Sequence, residues 1–182
     1  WSLWGLWRRN GRPPQKIVGV GFSAQGTFSR SYYKRSEASF DPQFDWVFAG
    51  ITEKNIGNFG LSGGGAAGFE LDRADSKLGT PENATILASS EGHSQDYTGN
   101  SEDFFILVPE EQLTHLTTWP GDKTDKLIRA DIVFYPTNKG GAVFSVGSIT
   151  FCGSLPSNDY KNNISQMLHN VITHFLKPHQ NF

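Results

Sequence analysis

The sequence predicts a layered α/β domain in which a sheet is covered by a C-terminal amphipathic helix. Three observations carry this. Ile164, Met167, Leu168, Val171, Ile172, Phe175 and Leu176 recur at spacings of three and four, the period of one helical face, and Pro178 stops the pattern. Residues 132–135 and 142–149 read as strands around the turn Asn138-Lys139-Gly140-Gly141, which makes a hairpin. Shorter apolar runs at 84–88 and 104–108 add strands, and an apolar helix stripe buries against such a sheet.

The remaining elements follow in chain order. Trp1, Trp4 and Trp7, with Leu3, fall on one face of a short helix that Gly5 weakens. Gly11-Arg12-Pro13-Pro14 ends it, and residues 16–22 then read as a strand in which Gly19 and Gly21 mark close backbone approaches. Residues 23–39 read as a long polar and aromatic loop. Asp41-Pro42 supplies an N-cap and first helical position for a turn running to Phe48. Residues 57–68 hold the densest glycine run, including Gly63-Gly64-Gly65. Ser157, Asn158 and Asp159 offer caps for the last helix.

Composition bounds the function. The chain has 182 residues, one domain's worth, with 14 Phe and 5 Trp to build a core. A net charge of −2 gives no electrostatic footprint for nucleic acid or an anionic membrane, and no apolar run approaches a membrane span. A lone Cys152 excludes an internal disulfide framework and suits a reducing, cytoplasmic setting. The first residue is Trp1, and the one methionine is Met167. The expectation is a single C-terminal piece, 1–182, of a longer polypeptide.

Chemistry-bearing residues concentrate in Ser89-Ser90-Glu91-Gly92-His93-Ser94-Gln95-Asp96-Tyr97, placed just past a strand end, where α/β sheets collect their ligands. Glu91 suits a general base or metal ligand; His93 suits a group that orients it, shuttles protons or binds metal. Glu91, His93 and Tyr97 sit at odd spacing, one face of an extended segment. A polar surface loop is the plainer reading. The triple glycine fits neither a phosphate loop nor a dinucleotide fingerprint, and reads as close chain packing. Cys152 continues a strand into a loop without a nucleophile elbow and reads as a buried or half-buried structural thiol. Tyr32, Tyr33, Tyr97 and Tyr135 are phenols that can ligate ferric iron, but singly each reads as packing with a satisfied hydroxyl. His115, His169, His174 and His179 read as solvated or capping.

Three segments, 16–26, 88–94 and 140–155, together with Gly63-Gly64-Gly65-Ala66-Ala67-Gly68 and Leu71-Asp72-Arg73, resemble the C-terminal part of the N,N-dimethylformamidase large-subunit family. The resemblance implies a catalytic domain of glutamine-amidotransferase-like fold after a lectin-like β-sandwich, and a small partner subunit. It implies a non-haem iron held by two tyrosines and a carboxylate, with ligands upstream of this chain. The implied reaction is hydrolysis of dimethylformamide to dimethylamine and formate. Glu91 is the residue the resemblance assigns to acid/base work, with His93 as its neighbour. The alternative is a non-catalytic scaffold or subunit-assembly domain, to which the tryptophan stripe would contribute. A cysteine-dependent amidotransferase is a third reading and requires Cys152 at a helix N-terminus.

Overall fold

A computed structural model describes residues 7–26, 31–91, 93, 105–107 and 128–177. Within them the chain is mixed α/β, as expected, with two sheets and one long helix. Trp1, Trp4, Tyr97, His115, Pro178 and His179 lie outside the described residues. Of the tryptophan stripe only Trp7 is described; it opens a 3-10 turn, Trp7–Asn10, and is 66% exposed.

The first correction to the sequence reading is local. Residues 16–18 belong to a helical turn, α1 (Gln15–Val18), and the strand β1 (Gly21–Gly26) begins later. Pro13-Pro14 explains the helix: Pro14 sits at φ −54, ψ −32, already helical, and its missing N–H is no loss at a helix start. Gly19 ends it at φ 80, a left-handed cap that other residues resist. A Cβ there would also lie 2.8 Å from the Val133 side chain, so packing and backbone demand the same residue.

The second correction concerns residues 23–39. In place of one loop, β1 continues to Gly26, β2 (Tyr32–Arg35) follows, and Glu37–Phe40 forms a 3-10 turn. Alternation was hidden there because the inward residues include Tyr33 and Arg35 in place of aliphatics. Arg35 is buried because its guanidinium lies between the Phe40 and Phe48 rings, 4.1 and 3.9 Å from their centroids, and bonds Ser39 and the Ile51 carbonyl. The Asp41 cap is present: its carboxylate accepts the Gln43 N–H at 3.0 Å at the head of the Pro42–Phe44 turn.

β3 (Asn55–Ile56), β4 (Phe69–Arg73), β5 (Thr85–Glu91), β6 (Phe105–Leu107), β7 (Asp131–Pro136) and β8 (Ala142–Ser145) complete the strands. They form a three-stranded sheet, β4-β1-β6, and a five-stranded sheet, β3-β2-β5-β7-β8, with antiparallel pairing throughout. The β7–β8 hairpin is as expected, but β8 stops at Ser145. Beyond it the chain turns to the small sheet, where Asp72 N–H donates to the Gly147 carbonyl and Ser148 bridges Leu71.

Every β7 residue from Asp131 to Tyr135 is buried, so the large sheet is covered on both faces there. On one side Val133 packs with Val20 and Ala74, and Tyr135 donates to the Ile17 carbonyl. On the other, Ile132 and Phe134 join the main core with Phe44, Ile164, Met167 and Val171. The short helix α2 (Phe151–Ser154) leads to α3 (Asn163–Phe175). Its cap is Asn162, whose side chain accepts the Ser165 N–H at 2.9 Å, not Ser157, Asn158 or Asp159. Asn158 and Asp159 instead adopt left-handed φ values of 52 and 51. The buried stripe is narrower than predicted: Ile164, Met167 and Val171 are inside, while Ile172 and Leu176 are 50% and 77% exposed. No helix among the described residues is long and apolar enough to cross a membrane.

Candidate active site

Glu91 is the last residue of β5 and pairs directly with Tyr32 of β2, while Ser89 pairs with Lys34. Directly opposed residues of an antiparallel pair share a sheet face, so Tyr32, Lys34, Ser89 and Glu91 stand on one side. Lys34 reaches diagonally to Glu91, and its Nζ lies 3.0 and 3.3 Å from the two carboxylate oxygens. The side chains are 44% and 45% exposed, so the pair is open to solutes. The hydrogen bond and charge of Glu91 raise the Lys34 ammonium above the ordinary lysine range.

His93 turns the other way. Its Nδ1 lies 3.0 Å from Ser31 Oγ and its Nε2 2.6 Å from Ser90 Oγ, and both serines are buried. Ser90 Oγ also accepts the Ala130 N–H at 2.7 Å. Burial lowers the His93 pKa to about 4, which keeps this ring neutral at neutral pH. Glu91 and His93 are therefore two positions apart in sequence but are held by different partners. The odd-spacing argument weakens because β5 ends at Glu91, beyond which strand alternation no longer sets direction.

The same sheet row continues inward. Ser89 pairs with Asp131 of β7, so Lys34, Ser89 and Asp131 stand in line across three strands. Asp131 is fully buried. Its Oδ1 accepts Ser89 Oγ–H at 2.7 Å and Arg129 Nε–H at 2.9 Å, and its Oδ2 accepts the Ala74 N–H at 2.8 Å. Sequence reasoning passed over Lys34 and Asp131. A single charge heading the apolar run 132–135 was the available signal for Asp131. Nothing local marks Lys34, whose role follows from strand register.

The other candidates resolve as follows. The triple glycine is a close-packing device: a Cβ on Gly65 would lie 1.9 Å from the Ser31 carbonyl oxygen, and Ala66 and Ala67 beside it are buried. It thereby packs directly against Ser31, whose hydroxyl meets His93. Cys152 corrects the expectation of burial. It is exposed, at the second position of the four-residue α2, because the core residues of that turn are Phe151 and Ser154. Tyr33 and Tyr135 donate to the carbonyls of Val146 and Ile17, and burial raises both phenols, so they stand as neutral packing hydroxyls. Tyr32 is half-buried opposite Glu91. His169 is exposed, while His174 stacks on Trp46 with centroids 3.8 Å apart. Among the described residues no three His, Cys, Asp or Glu side chains converge on a metal position.

Fold and site together define a mixed α/β domain that presents a carboxylate–ammonium pair from the end of a rigid antiparallel sheet. The profile of the family described as N,N-dimethylformamidase beta subunit-like, C-terminal, matches residues 1–163, and the chain belongs to that family. Two relatives, the N,N-dimethylformamidase beta subunits of Paracoccus aminophilus and of Alcaligenes sp., are each 40% identical over 174 residues. The aligned region covers 95% of this chain and 22% of each relative, so the chain spans about a fifth of their length. The relatives are named beta subunits, and that designation replaces the large subunit expected from the sequence.

Proposed function

We propose that this chain forms part of an amide hydrolase that cleaves the C–N bond of dimethylformamide or a related small amide, giving an amine and formate. The observation that carries this is the 40% identity to dimethylformamidase beta subunits across nearly the whole chain. In this reading Glu91 takes a proton from the attacking water as the C–O bond forms at the carbonyl carbon. It returns that proton to the nitrogen as the C–N bond breaks. An exposed carboxylate on an anchored strand end has the access and the fixed position this requires. His93 holds the strand end from behind, through Ser31 and Ser90. The iron of the intact enzyme is held by residues outside this chain, with a small partner subunit and the upstream polypeptide completing the site in the cytoplasm.

The test is formate release from dimethylformamide by the full-length protein with its partner subunit, with and without an iron chelator. Chelator-sensitive release is expected. Glu91→Gln should lower kcat by about 10²-fold or more with fold and iron content kept, the range for a lost general base. Wild-type turnover in that variant removes Glu91 from the mechanism. It then favours the second reading, an assembly domain, for which the observation is the exposed apolar face formed by Tyr160, Ile172 and Leu176.

A further inference from the structure

The geometry points to Lys34 as the positioning residue that aims the Glu91 carboxylate, an assignment that rests on the acid/base reading of Glu91. Many exposed ion pairs are incidental, because two long side chains on mobile backbone lose as much in order as they gain in charge. Three features separate this pair from that case.

The first is register. Lys34 and Glu91 stand on adjacent paired strands on one sheet face, and their spacing is fixed by the Tyr32–Glu91 and Lys34–Ser89 pairs. The second is anchoring of β5, the strand that carries Glu91. Ser89, opposite Lys34, is tied to the buried Asp131, and Ser90, next to Glu91, is tied to His93 and the Ala130 N–H. These bonds hold the β5 backbone on which Glu91 stands, and β2 is paired with β3 on one edge and β5 on the other. The third is the form of the contact: one ammonium lies 3.0 and 3.3 Å from both carboxylate oxygens, which restricts rotation of the carboxylate about its last bond. A base that must meet a water at hydrogen-bonding distance gains rate from such restriction, and a misplacement of about 1 Å can cost about 10²-fold. Lys34 acts here through Glu91 and touches no reacting atom.

The experiment compares Lys34→Met, Lys34→Arg, Glu91→Gln and the Lys34→Met/Glu91→Gln double variant in the full-length protein with its partner subunit. Lys34→Met should lower kcat roughly 10-fold or more and leave KM within about 2-fold, because the lost group aims the base and does not bind substrate. Lys34→Arg should recover most of the rate, since a guanidinium can span both carboxylate oxygens. In the Glu91→Gln background Lys34→Met should have no further effect, the signature of two residues acting as one unit. A Lys34→Met enzyme with unchanged kcat, beside an inactive Glu91→Gln, overturns the Lys34 assignment and leaves Glu91 standing. A rise in KM alone overturns it too, by making Lys34 a substrate contact. A fully active Glu91→Gln overturns the Glu91 reading and this one with it.

Discussion

Two carboxylate–cation pairs stand on the same face of the five-stranded sheet, on neighbouring strands and two residues apart in register, and they differ in almost every physical respect. Asp131 is fully buried, with Arg129, Ser89 and the Ala74 backbone N–H arranged around its two oxygens. Glu91 is nearly half exposed and meets Lys34. The reason is cover: Val20, just before β1, and Ala74, just after β4, pack on Val133 over the β7 end of this face, while Lys34 and Glu91 at the β2–β5 end stay exposed. A buried carboxylate must have its lone pairs satisfied by fixed donors, and it is then committed to structure. An exposed carboxylate costs little to hold and stays available to a water or a substrate. Both are carboxylate–cation pairs, and burial divides their work.

That comparison can be broken at several points. The largest effect is expected at Asp131. Asp131→Ala should cost about 3–5 kcal/mol in denaturant unfolding, because it leaves a guanidinium, a hydroxyl and a backbone N–H without their acceptor. A loss below about 1 kcal/mol would show that the inner pair is not structural. His93 comes next. Its pKa of about 4 in the fold lies below the ordinary histidine value near 6.5, so the unfolded chain binds the extra proton first. Stability from this group is therefore complete above about pH 6.5 and is lost as pH falls toward 4, by roughly 3 kcal/mol at most. His93→Gln should flatten that part of a stability–pH curve; an unchanged slope would show that His93 is not buried as a neutral ring. The smallest effect is expected at Cys152. Alkylation of the native chain should proceed readily, and Cys152→Ser should stay within about 0.5 kcal/mol of the parent with turnover kept. Lost turnover in that variant would revive the cysteine mechanism.

The α3 stripe and the β7–β8 hairpin were legible because their signals are periodic and local. So was the Asp41 cap, where one side chain satisfies a nearby N–H. The strand β2 was not, since its buried positions carry Tyr33 and Arg35, whose inward placement depends on Val146, Phe40 and Phe48 far along the chain. The cap of α3 was misplaced by a few residues because several adjacent residues have equal capping chemistry, and only Asn162 is set to reach Ser165 and the Leu155 and Ser157 carbonyls. Of the candidate site, Glu91 and His93 were visible as residue types, while Lys34 and Asp131 were not.

The sequence by itself determined the long helix, the hairpin, the glycine run, the absence of a disulfide framework and the family likeness, since each is written in residues close together in the chain. Tertiary structure decided which side of each strand is covered. It placed Lys34 against Glu91, 57 positions apart, turned His93 inward onto Ser31 and Ser90, and put Asp131 under cover while Cys152 faces out. Burial and strand register depend on the whole chain's packing, and a single shift of register would move Lys34, Glu91 and Asp131 to the opposite face.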